Sequence, residues 1–171
     1  MTHPSFNRRH FQFGLLALPF ALTGKTALAH GDQMHGKPAA LVKEQKPWGI
    51  AAEPAKAQRT VTIRMTDDMK LSPNHLQVVQ GETLRLRAVN AGAVMHEIVI
   101  GTKDELAAHA EMMKKHPGME HDEPYMAHVP PGKQGDIVWT FNRAGDFEFA
   151  CLIAGHFEAG MRGTIRVTPK G

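Results

Sequence analysis

Cysteine is nearly missing from this chain: Cys151 is the only one in 171 residues. An internal disulfide is therefore excluded. Aromatic side chains are also few, with two Trp and one Tyr, yet 42% of the residues are hydrophobic, enough for one buried core. Long apolar runs are absent too. The only candidate, Phe11 to Leu22, is too short to cross a bilayer, so no membrane insertion is expected. An excess of charge is lacking once the first segment is set aside. The formal charge of +3 rests on Arg8, Arg9 and Lys25, and residues 30–171 hold 17 basic against 17 acidic side chains. That balance excludes a nucleic-acid partner and any general attraction to acidic surfaces. What the chain has in quantity is histidine (11) and methionine (10).

Residues 1–29 read as a secretory signal peptide, with a basic start, an apolar middle and Ala27-Leu28-Ala29 as a small-residue cleavage site. Arg8-Arg9 upstream of Phe11 has the look of a twin-arginine signal, the route for proteins exported already folded. A general secretory signal with two incidental arginines is the alternative. Either route leads to an oxidising compartment, the periplasm in a bacterial cell. A free thiol there needs protection, by burial or by a metal bond.

From His30 to Gln58 the chain is rich in Pro, Ala, Lys and Gly and lacks periodicity, which predicts a flexible arm. Cleavage after Ala29 would put His30 at a new N-terminus, with Met34 and His35 close behind. From Arg59 apolar residues alternate: Val61, Ile63, Met65; Leu76, Val78; Leu84, Leu86, Ala88; His96, Ile98, Ile100; Ile137, Trp139, Phe141; Phe147, Phe149, Cys151; Ile165, Val167. Six or seven short strands divided by Gly and Pro predict an all-β sandwich or barrel over residues 59–171. One stretch departs from this pattern. Thr102 and Glu105 stand in capping-box positions, Leu106, Ala110 and Met113 share a helical face, and Pro117-Gly118 stops the run. A helical, Met/His-rich insertion is thus expected over about residues 102–128.

The chemistry concentrates in Cys151-Leu-Ile-Ala-Gly-His156-Phe-Glu-Ala-Gly-Met161. Alternation aims the Cys151 sulfur into the core from a strand end, and Gly155 and Gly160 allow a loop to close on itself. A second histidine is needed to complete a four-donor site. His96, which starts a core-facing strand, is favoured, with His75 as the other possibility. Two imidazoles, a thiolate and a weak axial thioether suit a type 1 copper centre, which cycles between Cu(I) and Cu(II). Each residue alone has a plainer reading: a buried inert thiol, a loop histidine, a core methionine.

This loop, preceded by a strand and followed by Gly163-Thr-Ile-Arg-Val167, resembles the copper loop of the cupredoxins, the plastocyanin and azurin superfamily, over about residues 60–169. The resemblance implies a Greek-key β-sandwich and one copper ion held by His96, Cys151, His156 and Met161. Met95-His-Glu-Ile-Val-Ile, the insertion and the His-bearing arm resemble more narrowly the periplasmic copper-tolerance cupredoxins of the CopI type. One position departs from well-known members: Glu97 stands where a small polar residue commonly bonds the cysteine sulfur. That bond is then missing or supplied by a backbone amide.

His109, Met112, Met113 and His116 fall at helical steps of three and four, and Met119, His121, Met126 and His128 follow. They form either a second, labile copper site or a helix with one packed face and solvated histidines. Phe157 and the small residues around His156 suggest an apolar landing patch for a redox or copper-handling protein. Copper tolerance is favoured over a dedicated electron shuttle, because a shuttle needs neither arm nor insertion. A metal-free structural β-domain is the alternative from another class. With one domain and no His-x-His pair, a self-contained copper enzyme is not expected.

Overall fold

The structure, a computed structural model, describes residues 41, 43–117, 119 and 121–171. The signal peptide, Arg8-Arg9, His30, Met34 and His35 lie outside the described residues.

Two five-stranded sheets face each other. The first orders its strands β1 (Ile50–Ala51), β8 (Gln134–Phe141), β5 (Glu82–Asn90), β2 (Arg59–Thr66) and β3 (Lys70–Ser72). The second runs β4 (His75–Val79), β10 (Arg162–Thr168), β9 (Gly145–Ala150), β6 (His96–Gly101) and β7 (Met126–Val129). The pairs β2/β5 and β4/β10 are parallel, and the other neighbours are antiparallel. This is an all-β sandwich, one of the two forms the period-two pattern predicts, and agrees with the Greek-key sandwich that the resemblance implies. Ile63, Leu84, Leu86, Ile98, Ile100, Trp139, Phe141 and Phe149 alternate inward and fill the space between the sheets. Fully burying an apolar side chain of this kind contributes roughly 1.5–3 kcal/mol.

The insertion begins with helix α1 (Lys103–Lys115). Its capping box forms as expected: the Thr102 hydroxyl accepts the Glu105 amide, and the Glu105 carboxylate accepts the Thr102 amide. Leu106, Ala110 and Met113 pack on Val99, Ala150, Leu152 and Met126. The helix therefore covers the outer side of the second sheet. As a result every residue of β6 is buried, on both faces.

Two stretches differ from the sequence reading. The arm assigned to residues 30–58 is folded in its last part. Trp48 is buried, its carbonyl accepts the Trp139 indole N–H at 3.2 Å, and Ile50 and Ala51 pair with Thr140 and Trp139. Two buried residues in a polar, Pro-bounded stretch carry no periodic signal, yet a tryptophan placed against Tyr125 (ring centroids 5.6 Å) anchors the segment. The insertion, for its part, ends in a strand: Met126–Val129 pairs with His96–Val99 at the sheet edge. Its four residues lie between Pro124 and Pro130, too short for alternation to show.

Among the described residues no helix is long and apolar enough to cross a membrane.

Candidate metal centre

Strand β9 delivers Phe147 and Phe149 to the core, and Cys151 follows at its end, fully buried. The chain then turns through a loop that satisfies much of its own backbone. Cys151 N–H donates to the Met161 carbonyl (3.0 Å), Met161 N–H to the His156 carbonyl (3.0 Å), and His156 N–H to the Ile153 carbonyl (2.9 Å). Gly155 (φ +89°) and Gly160 (φ +91°) take the left-handed conformation these turns require. Met161 is buried just before β10. On β6, the strand paired with β9, His96 points inward, with no exposed surface.

His96, Cys151 and His156 bring one donor atom each within 4.8 Å of one another. His156 Nδ1 lies 3.3 Å from Cys151 Sγ. The two imidazoles stand 5.1 Å apart between ring centroids, tilted by 55°. His75, the other histidine considered, is elsewhere: its Nδ1 lies 2.6 Å from the Thr164 hydroxyl on an exposed surface.

A residue without any signal in the sequence positions His96. Asp67, in the turn between β2 and β3, places Oδ1 3.1 Å from His96 Nε2 and accepts the Ala93 amide through Oδ2 at 2.7 Å. The Ala93 amide, and after it the His96 ring, hold the Asp67 carboxyl below its usual range. Asn90 braces the turn between β5 and β6, just before His96: its amide donates to the carbonyls of Val94 and Val129, each at 2.8 Å. With Nε2 engaged by the carboxylate, His96 Nδ1 is left buried and without a partner among the described residues. An imidazole fixed by a carboxylate on one nitrogen and free on the other is a common arrangement for a metal-binding histidine.

The electrostatics agree. Burial pushes the Cys151 thiol up to about 12, while the peptide N–H groups of Glu97 and Ile153 act in the opposite direction and favour the anion. So the backbone supplies what the side chain at position 97 does not. Burial, and then the neighbouring His96, lower the His156 pKa, so its ring is neutral at pH 7. A neutral imidazole, an unpartnered buried nitrogen and a buried thiol without a counter-cation fit a soft cation that replaces the thiol proton. The donor set, with Met161 beside it, suits copper.

Glu97 itself faces the other side of β6, as alternation predicts, but it is buried beneath the insertion. Its Oε1 accepts the Leu152 amide at 2.9 Å, and its Oε2 lies 3.1 Å from His128 Nδ1. Burial raises its carboxyl pKa, and His128 partly offsets this.

The insertion residues do not gather on one side of α1. Met113 is drawn into the packing with Leu106 and Ala110, whereas Met112 and His116 are exposed. His109 instead meets His121, with ring centroids 4.9 Å apart. Met119 is half-buried and Met126 is buried in β7. At the surface, Phe157 is half-buried with the Arg162 guanidinium 5.1 Å from its ring centroid, so a positive charge sits over the ring expected in an apolar landing patch. The exposed apolar side chains at this end are instead Val94 and Met95, just before His96.

A β-sandwich with two histidines and a cysteine converging at one end defines the cupredoxin class. Residues 57–168 match the family of copper binding proteins of the plastocyanin/azurin type, and the chain belongs to that family. More particularly, the chain is 45% identical over 150 residues to the copper-resistant cuproprotein CopI of Rubrivivax gelatinosus, covering 86% of this chain and 91% of that one. It is 30% identical over 198 residues to the protein of the same name from Pseudomonas aeruginosa, covering 96% and 99%. Among solved structures, the reduced auracyanin of Roseiflexus castenholzii superposes with a TM-score of 0.57 at 24% identity, over 66% of this chain and 99% of that one, a likeness of fold alone.

Proposed function

We propose that this cupredoxin is an exported copper-resistance protein that holds one copper ion in a type 1 centre, through His96 Nδ1, Cys151 Sγ, His156 Nδ1 and Met161. The observation that carries this is the pair of inward nitrogens: His96 Nδ1 is buried and unpartnered, and His156 Nδ1 is 3.3 Å from the sulfur. Bound copper would supply one-electron Cu(I)/Cu(II) chemistry. The chain's own part is to keep the donors still. Asp67 fixes the His96 ring, the self-closed loop fixes Cys151, His156 and Met161, and the sandwich excludes water from the sulfur. Metal capture and one-electron exchange need no substrate pocket, so the protein acts without turnover of a substrate.

Copper resistance is favoured by the relatives named CopI and by the Met/His-rich insertion. An electron shuttle to a respiratory partner is the second reading, supported by exposed Val94 and Met95 beside a half-buried His156. The N-terminal segment read as a signal peptide supports delivery to the periplasm.

Copper(II) added to the metal-free protein should give an intense visible sulfur-to-copper band and one tightly held ion, both lost in Cys151→Ser. A colourless protein after copper addition would refute the type 1 assignment. Gene deletion separates the roles: copper sensitivity with normal respiration marks resistance, and impaired respiration with normal copper tolerance marks the shuttle.

A further inference from the structure

Two histidines outside the centre described above have no bonding partner among the described residues. His109 Nε2, on α1, and His121 Nδ1, on the segment between α1 and β7, are both buried without a hydrogen-bond partner there. Their rings approach to 4.9 Å between centroids at a 37° tilt. A buried, unsatisfied polar atom is destabilising, so two on facing rings is a costly arrangement unless something fills it.

The surroundings say what would fill it. His121, though not His109, lines a cavity of about 520 Å³ together with the methionines Met95, Met113 and Met119 and the carboxylates of Glu97 and Asp122. Three thioethers beside imidazoles form a soft donor environment, poor for Mg²⁺ or Ca²⁺ and good for Cu(I). Burial, and then the neighbouring His121, hold His109 below the ordinary imidazole range, so the ring is neutral and able to offer a lone pair. The same cavity touches Met95, the neighbour of His96, and Ile153, in the loop that carries Cys151 and His156.

We propose that His109 Nε2 and His121 Nδ1 form a second metal site, for a soft monovalent ion such as Cu(I), with the thioethers of Met113 and Met119 beside it. The site is separate from the first in its donors. A hydrogen-bonded path nonetheless joins the two. His121 gives its carbonyl to His128 Nε2 (3.1 Å), His128 Nδ1 meets Glu97 (3.1 Å), and Glu97 accepts the amide of Leu152, next to Cys151. The insertion therefore holds an ion within reach of the primary centre rather than on a detached surface.

Silver(I), a redox-inert stand-in for Cu(I), tests this in ¹⁵N-labelled Cys151→Ser protein. That background removes the thiolate, so the outcome does not depend on the type 1 assignment. Two-bond ¹H–¹⁵N spectra of the imidazoles should show His109 Nε2 and His121 Nδ1 shifting together as Ag(I) is added. His109→Gln in the same background should lose one ion retained against a competing thioether chelator, with circular dichroism unchanged. If both nitrogens keep their shifts while Ag(I) binds elsewhere, or if no ion is lost on substitution, the pair is only a packed and hydrated contact and the proposal is overturned. The spectra of the unsubstituted pair decide the matter even if the His109 variant fails to fold.

Discussion

Glu97 on β6 accepts the peptide N–H of Leu152 at 2.9 Å, so the residue after His96 is tied directly to the residue after Cys151. The bond is buried and lies on the face of β6 opposite the imidazole. It clips the strand carrying one donor to the loop carrying the others, and the outer end of the same carboxylate meets His128 of the insertion.

Cutting this clip should loosen both. Glu97→Ala leaves the Leu152 amide and His128 without their acceptor, at a cost of about 1–3 kcal/mol to the metal-free protein. Glu97→Gln keeps an oxygen for the amide and should lose less. Urea unfolding of the two variants gives the comparison. Equal stability of Glu97→Ala and the parent would show that the bond contributes nothing.

Asp67 offers a second handle, outside the donor set. Asp67→Ala frees the His96 ring to rotate and removes the acceptor of the Ala93 amide. Losing an outer partner of a metal-binding histidine typically lowers metal affinity about 10–100-fold. Competition with a copper chelator should show a drop of that order, with the visible band retained at saturating copper.

The Cys151 thiol makes two pH-dependent predictions. Its pKa in the fold is raised to about 12 from an ordinary 9.0, so the folded protein holds this proton where the unfolded chain gives it up. That contribution to stability is complete below pH 9 and is lost as pH climbs toward 12. Metal-free protein should therefore destabilise across that window more than Cys151→Ser does, as measured by thermal unfolding. Copper uptake at pH 7 must also expel the thiol proton. Proton release into a weakly buffered indicator solution should rise in step with copper bound, and a release of zero would contradict the thiolate bond.

Trp48 tests the boundary of the folded unit. Its ring is 3% exposed and meets Tyr125, which in turn meets Trp139 at 6.1 Å. Trp48→Ala should cost about 3–5 kcal/mol, the usual range for truncating a buried aromatic. A cost below 1 kcal/mol in urea unfolding would return this stretch to the arm.

Much of this molecule was legible from residue order. Strict alternation disclosed the sandwich, and the Thr102/Glu105 pair disclosed the start of α1. The spacing of Cys151, His156 and Met161, with the phase of His96 against Ile98 and Ile100, located the cluster. What escaped shares one cause: contacts made by isolated residues that no periodic pattern pairs. Asp67 is one of two adjacent acids in a turn, and only the folded loop at Ala93 brings it to His96. Trp48 sits in a stretch with no period. Phe157 looked open because nothing in the order of residues says that Arg162 folds back over it. The meeting of His109 with His121 was hidden for a similar reason, since helical spacing pointed to Met112 and His116 as its companions.

The loop from Cys151 to Met161 draws most of its backbone bonds from within itself, the Leu152 amide on Glu97 being the exception, and returns to the sheet where it left, Ala150 opposite Arg162. Past that one clip, its length and contents are set apart from the strands beneath. Such a segment behaves as a cartridge: a relative's loop could be grafted between the same two strands, changing hue and redox potential while the frame below goes unedited.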